Sequence, residues 1–253
     1  MTRSGNGARF AAKPIAGGGT PAHEWAGWGR EFPTLDFDGC PALVVVAPHP
    51  DDETLGFGAT AAMLKSRGVD VRVVAVTDGG GAFPDLSPLE RVWLERDRRD
   101  ELRLATGMLG LAEPIFLGLP DGELSSRETE LADRLADVLD AGPTGTWCAA
   151  TWRGDGHPDH EAVGRCAAEA TARTGAALLE YPVWMWHWAR PNDDAVPWHR
   201  MSTAPLDRAA MARKRRAATA FRTQLTPYEA GMAAILPPFV LHRLFAVGEA
   251  VFR

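Results

Sequence analysis

The chain has 253 residues with 45% hydrophobic and 24% charged, enough for a buried core and too apolar for general disorder. A formal net charge of -6 argues against nucleic acid or an anionic membrane as the main partner. Three scattered cysteines, Cys40, Cys148 and Cys166, exclude a disulfide scaffold and a cysteine-type zinc site. Arg3 and Arg9 are followed by no continuous apolar stretch, and no run reaches the ~18 residues of a membrane span, so neither a signal peptide nor a span is expected. The default reading is a soluble cytoplasmic protein. The sequence sets no oligomeric state.

Residues 1–40 are rich in Gly, Ala, Pro and Arg without periodicity. They read as an arm that is either disordered or laid across the body. Residues 41–253 read as a single domain. Ala42 to Ala47 is a continuous β-rich apolar run, as a buried parallel strand requires. Thr54 to Arg67 follows as a helix, and Asp70 to Thr77 as a second strand. Ser87-Pro88-Leu89-Glu90 is a capping box with Pro at the first helical position, so a long helix should run to about Met108. Pro114 to Gly118 is a short third strand. Ser125-Ser126-Arg127-Glu128 should cap a helix whose Leu131, Leu135 and Leu139 share one face. Thr146 to Trp152 is a fourth strand, His160 to Thr174 a helix, and Ala176 to Trp184 a fifth strand. A basic helix, Asp207 to Thr223, precedes a less regular tail, and Lys214-Arg215-Arg216 reads as its solvated face. Alternation of strand and helix predicts an α/β, Rossmann-like layered fold with a mostly parallel central sheet and helices on both faces.

In such sheets ligands bind beyond the carboxyl ends of the strands. Two of the loops at that edge are dense in His and Asp: Pro48-His49-Pro50-Asp51-Asp52-Glu53 and Arg153-Gly154-Asp155-Gly156-His157-Pro158-Asp159-His160. A hydrolytic metal site needs three nitrogen or oxygen ligands and one open position. His49 with Asp52, and a histidine from the second loop, supply such a set. Two histidines and a carboxylate suit zinc, and also non-haem iron(II). Gly56-Phe57-Gly58-Ala59-Thr60-Ala61 imitates a dinucleotide fingerprint, with Asp78 at the end of the next strand. However, three carboxylates, Asp51, Asp52 and Glu53, occupy the turn that pyrophosphate would need. The glycines therefore read as close helix packing.

The stretch Ala47-Pro48-His49-Pro50-Asp51-Asp52-Glu53, joined to His157-Pro158-Asp159-His160, resembles the LmbE-like (PIG-L) N-deacetylase family. Here Pro48 stands where the family pattern, A-H-P-D-D-E, has Ala. The resemblance covers roughly Ala42 to Gln224. It implies a zinc-dependent amidohydrolase holding one metal ion and removing acetyl from N-acetylglucosamine conjugates. Carried over by residue, it implies His49, Asp52 and His160 as metal ligands and Asp51 as general base on the metal-bound water. His157 becomes the group that stabilises the oxyanion or protonates the leaving amine, and the negative charge developing on oxygen casts it as an imidazolium. Arg98 and Asp121 become substrate contacts.

Some residues stand outside the resemblance. Asp159 is a candidate to orient His157. Trp184, Trp186 and Trp188 alternate, so an extended chain would put their indoles on one face, a platform for a sugar ring or a strand packed into core. His187, His199 and His242 read as non-ligands. Two alternative functions stay open: an amidase acting on a non-sugar conjugate, and an inactive metal-binding or ligand-sensing module.

Overall fold

The computed structural model describes residues 5–83, 85–228 and 233–253. Five strands run parallel in the order their connections dictate: β1 (Ala42–Ala47), β2 (Asp70–Thr77), β3 (Ile115–Leu119), β4 (Trp147–Thr151) and β5 (Ala177–Tyr181). Two short strands, β6 (Met201–Thr203) and β7 (Ala250–Phe252), add antiparallel pairing at one edge. The sheet order is β3-β2-β1-β4-β5-β7-β6. The order reverses at β1, between β2 and β4. In open α/β sheets such a switch point opens a crevice beyond the strand ends.

The central strand shows why the sheet is layered. On β1, Leu43 and Val45 join one apolar cluster, while Val44 and Val46 join the cluster on the other face. All four are buried, so both faces must be covered. On one side lie α5 (Glu128–Asp140) and α6 (Pro158–Thr174), with Leu131, Leu135 and Leu139 turned into the core as their spacing predicts. Each such side chain contributes about 1.5–3 kcal/mol by leaving water. The other side is covered by α3 (Asp52–Ser66) and α4 (Pro88–Leu109). The Ser87 capping box forms as read.

Gly56 on α3 lies so close to Tyr181 that an added Cβ would fall 2.3 Å from its ring, and the Tyr181 hydroxyl donates to Val46 O at 2.8 Å. The glycine serves close packing of helix on sheet, as its place after the carboxylate-rich turn predicts.

The arm is ordered. Its helices α1 (Asn6–Ala11) and α2 (Ala22–Ala26) lie against α7 (Met185–Trp188) and α10 (Pro238–Val247). Between these run α8 (Arg208–Ala218) and α9 (Arg222–Leu225), so the basic helix ends earlier than read. The tail is more regular than its sequence, with α10 and β7 inside it.

Three readings are corrected. Ser125 and Ser126 fall in a 3-10 turn, and α5 starts at Glu128 with no side-chain cap. Lys214 is fully buried and pairs with Glu249 at 2.8 Å, because α8 turns this cation toward α3. The fifth strand stops at Tyr181. The N–H groups of Val183, Trp184 and Met185 all donate to the Asp155 carboxylate at 2.8–2.9 Å, which curls the chain into α7. The three indoles therefore share no face. Trp184 meets Phe10, Trp186 packs on Trp25, and Trp188 donates to Asp155 O. His187 is held by Lys13 O and Arg243, while His199 and His242 are exposed.

Candidate metal centre

The loop after β1 turns directly into α3. Asp51 stands just before the helix with φ 146°, a conformation that L-residues rarely hold. Such strain, of order 1–3 kcal/mol, persists only where surrounding contacts impose it. Here Arg98 imposes part of it. Its guanidinium donates to Asp51 Oδ2 at 3.2 Å and to Pro50 O and Gly79 O at 3.0 Å. Gly79 makes room: a Cβ there would fall 2.2 Å from Arg98. The strained turn separates two adjacent carboxylates, Asp51 toward Arg98 and Asp52 toward the histidines.

Asp52 Oδ2 lies 3.1 Å from His49 Nδ1 and 3.2 Å from His160 Nε2. Ligand atoms of the three residues lie within 4.8 Å of one another. His160 Nε2 is buried and makes no hydrogen bond among the described residues, despite the nearby carboxylate. An orphaned buried nitrogen of this kind is the signature of a ligand position. A tetrahedral site with bonds of ~2.0–2.2 Å separates its ligand atoms by ~3.3–3.6 Å, close to these distances. The trio fits a divalent ion with an N2O donor set.

Each histidine is backed by a carboxylate on its other nitrogen. His160 Nδ1 lies 2.8 Å from Asp155 Oδ2, and His49 Nε2 lies 3.0 Å from Asp121 Oδ1. Such partners fix the tautomer and the ring orientation of a metal-binding imidazole. A second trio, His49, His157 and Asp159, also lies within 4.8 Å. It would have to use the His49 nitrogen that Asp121 already engages, so the first trio is the better site.

The remaining sequence candidates fall around this centre. Arg98 and Asp121 line the same cavity, with the Arg98 terminal nitrogens bound to Asp51, Pro50 O and Gly79 O, and Asp121 bound to His49 and Gly81 N. Asp159 Oδ2 accepts from Gly122 N at 2.8 Å and stands 3.4 Å from His49 Nε2. What reaches His157 is not the Asp159 carboxylate but its backbone N–H, which donates to Nδ1 at 3.3 Å. The His157 ring centroid lies 5.1 Å from that of His49, edge-on, and 4.8 Å from that of His160, tilted. Trp184 lines the cavity. Asp155, in the loop after β4, is a functional residue that the motif reading does not single out. Its only sequence signal was a carboxylate five residues before His160.

Burial and neighbouring charge set the protonation of the centre. Burial works against charge on His160, yet Asp52 and Asp155 raise it to about 9. Burial likewise opposes charge on His49, and Asp121, Asp159 and Asp52 raise it well above the ordinary value. Asp52 is held well below the usual carboxylate range, its burial outweighed by His160 and His49. Asp51 is pushed up to about 8 by burial and by the charge of Asp52, against the pull of Arg98. His157 is held well below the usual value by burial and by the charges of His160 and His49. This favours the neutral ring over the imidazolium expected from the sequence, and the Asp159 N–H at Nδ1 suits the tautomer protonated on Nε2.

The sequence profile of the family described as PIG-L, GlcNAc-PI de-N-acetylase, matches residues 44–171. The chain belongs to this family. Over 169 residues it is 32% identical to a 1D-myo-inositol 2-acetamido-2-deoxy-alpha-D-glucopyranoside deacetylase of Mycobacterium sp. (strain KMS), covering 58% of this chain and 54% of that protein. The chain thus spans about half the length of the curated relative. Among solved structures, the conserved protein TT1542 from Thermus thermophilus is 27% identical with a TM-score of 0.52, over 72% of this chain and 79% of that one. N,N'-diacetylchitobiose deacetylase from Pyrococcus horikoshii shares the fold at 22% identity and a TM-score of 0.57, over 75% and 73% of the two chains. The PIG-L segment contains His49, Asp51, Asp52, Arg98, Asp121, His157, Asp159 and His160.

Proposed function

We propose that this PIG-L protein is a metal-dependent N-deacetylase that removes acetyl from an N-acetylglucosamine-type conjugate. The observation that carries the reading is the division of labour between adjacent carboxylates. Asp52 turns to two histidines, one with an orphaned nitrogen, while Asp51 turns away and has a raised affinity for protons. An inactive metal-binding module needs the first arrangement and has no use for the second.

His49, Asp52 and His160 would hold one ion, zinc in this reading, with iron(II) compatible with the same donors. When bound, it supplies Lewis acidity and lowers the pKa of a coordinated water toward ~7. Asp51 serves as general base. Its burial beside Asp52 makes it more basic than a solvated carboxylate, and Arg98 fixes where its oxygens point. His157 donates a hydrogen bond from its Nε2–H to the developing oxyanion and keeps that proton, its ring held by the Asp159 N–H at Nδ1. Asp155 and Asp121 keep the two ligand imidazoles turned inward. Among the described residues no helix is long and apolar enough to cross a membrane.

The test is mass spectrometry on a panel of N-acetylglucosamine conjugates incubated with zinc- or iron-loaded protein. Loss of one acetyl with release of acetate supports the reading. Metal binding with no hydrolysis across the panel, but with cleavage of non-sugar amides, would move the activity to a different amidase.

A further inference from the structure

The cavity of about 570 Å³ above the metal centre has two unlike halves. Its polar half comes from the PIG-L segment: His49, Asp51, Asp52, Asp121, His157 and Asp159. Its apolar half comes almost wholly from outside that segment. Phe10 and Ile15 arrive from the N-terminal arm, Trp184 from the turn after β5, and Leu236, Val240 and Leu244 from the C-terminal region around α10. The two halves meet at Phe10. Its ring lies 6.0 Å from His157, 5.3 Å from Trp184 and 6.1 Å from His187.

The arm is fastened where it makes this wall. Arg243 on α10 is 2% exposed and donates to Thr20 O at 2.6 Å, to Gly18 O, and toward His187 Nδ1 at 3.0 Å. Lys13 donates to Trp188 O at 2.7 Å, and Asn6 to Gly154 O at 2.7 Å, beside the His157 loop. A buried cation whose donors go to the arm's carbonyls and to His187 holds one particular conformation. An apolar wall of this extent exceeds what an acetyl methyl covers, and it would strand sugar hydroxyls without partners.

We propose that the arm is a specificity element, and that Phe10 and Ile15, with Trp184, Leu236, Val240 and Leu244, form a subsite for an apolar alkyl or aryl group carried by the substrate beside the scissile amide. Arg243 is its positioning residue. The proposal rests on the deacetylase reading and adds the chemistry of the substituent.

Two substrate series test it with zinc-loaded enzyme. In one, methyl glucosaminide carries N-acetyl, N-butanoyl, N-hexanoyl or N-octanoyl. In the other, N-acetylglucosamine carries a methyl, butyl, hexyl or octyl glycoside. One series should gain at least about tenfold in kcat/KM from its shortest to its longest member, the transfer of two or more methylenes from water. Which series gains tells whether the group sits on the acyl or the glycosidic side. Phe10→Ala and Arg243→Gln should flatten that ratio, and Phe10→Leu should restore most of it, with thermal melts showing each variant folded. Flat kinetics in both series, or a gain that Phe10→Ala leaves whole, would overturn the proposal. If no member is hydrolysed, the deacetylase reading fails by itself. Calorimetry then decides the subsite: either N-octanoylglucosamine or octyl N-acetylglucosaminide should bind at least about tenfold tighter than N-acetylglucosamine, and equal affinities for all three would sink it.

Discussion

Asp155 Oδ2 stands 2.8 Å from Nδ1 of His160, and the same carboxylate accepts three consecutive backbone N–H groups from Val183, Trp184 and Met185. One buried side chain thus joins the fold of the segment after β5 to the tautomer of a metal-site histidine. Asp155→Asn keeps one acceptor oxygen and replaces the other with a donor that opposes both His160 Nδ1–H and the backbone. Metal affinity should fall by about 10–100-fold, the usual effect of losing such a partner, as read by chelator competition. Asp155→Ala should also lower stability by about 3 kcal/mol or more, since several buried donors lose their acceptor. Undiminished affinity in a folded Asp155→Asn would show that the carboxylate does not hold His160 in place.

The contrast between Asp155 and Asp52 shows what could be read in advance. The strands around β1 and the His/Asp loops were legible because buried parallel strands and metal half-sites are local patterns, three residues wide. His49, Asp52 and His160 came together because the loops after neighbouring strands β1 and β4 must share an edge. Asp155 acts through N–H groups nearly thirty residues away, and no periodicity signals that. For the same reason Trp184 to Trp188 looked extended. The arm was harder still: Phe10 is held by Arg243, Lys13 and Asn6 contacts with positions 148 to 225 residues distant. Lys214 was read as solvated because its partner, Glu249, lies in a tail with no recognisable pattern.

Asp51 and Asp52 are adjacent and should respond differently to substitution. Asp51→Asn should retain metal, because the side chain turns to Arg98 rather than to the histidines. Its activity should drop by at least about 10²-fold, as for a removed general base. Asp52→Ala should lose both metal and activity, since its Oδ2 faces both His49 and His160. Metal analysis alongside turnover separates the roles, and an Asp51→Asn protein that sheds its metal would exchange them.

Metal uptake should depend steeply on pH. In the metal-free protein His160 holds its proton up to about 9, and His49 is also raised, so both are protonated at neutral pH. An ion must displace those protons, so affinity should climb by up to tenfold per pH unit for each proton released, with the His160 share levelling off above about 9. Calorimetry in buffers of different ionisation enthalpy should count one to two protons at pH 7. Stability follows the same sign. The proton on His160 contributes stability that is full below the unfolded value of about 6.5 and is lost as pH rises through about 9. The metal-free protein should therefore melt at lower temperature as pH goes from 6.5 to 9, while the metal-loaded form should not show that fall. A pH-independent affinity would mean the histidines are already neutral.

His157 distinguishes a neutral donor from an imidazolium. Burial and the charges of His160 and His49 keep it neutral near pH 7, and Asp159 N–H at Nδ1 leaves the proton on Nε2. A bound cation in place of those two charges would disfavour protonation in the same sense. His157→Ala should keep its metal and fall in kcat by about 10²–10³-fold, the loss of one oxyanion donor. His157→Gln retains a neutral N–H and should recover about tenfold of that. Because a neutral donor has no proton to lose near pH 8–9, any alkaline limb in the rate should persist in His157→Ala, whereas protonation of His157 in acid would displace the Asp159 N–H from Nδ1. A pH profile of kcat for the wild type and both variants decides the matter. Disappearance of the alkaline limb in His157→Ala would restore the imidazolium, and loss of metal would make His157 a ligand.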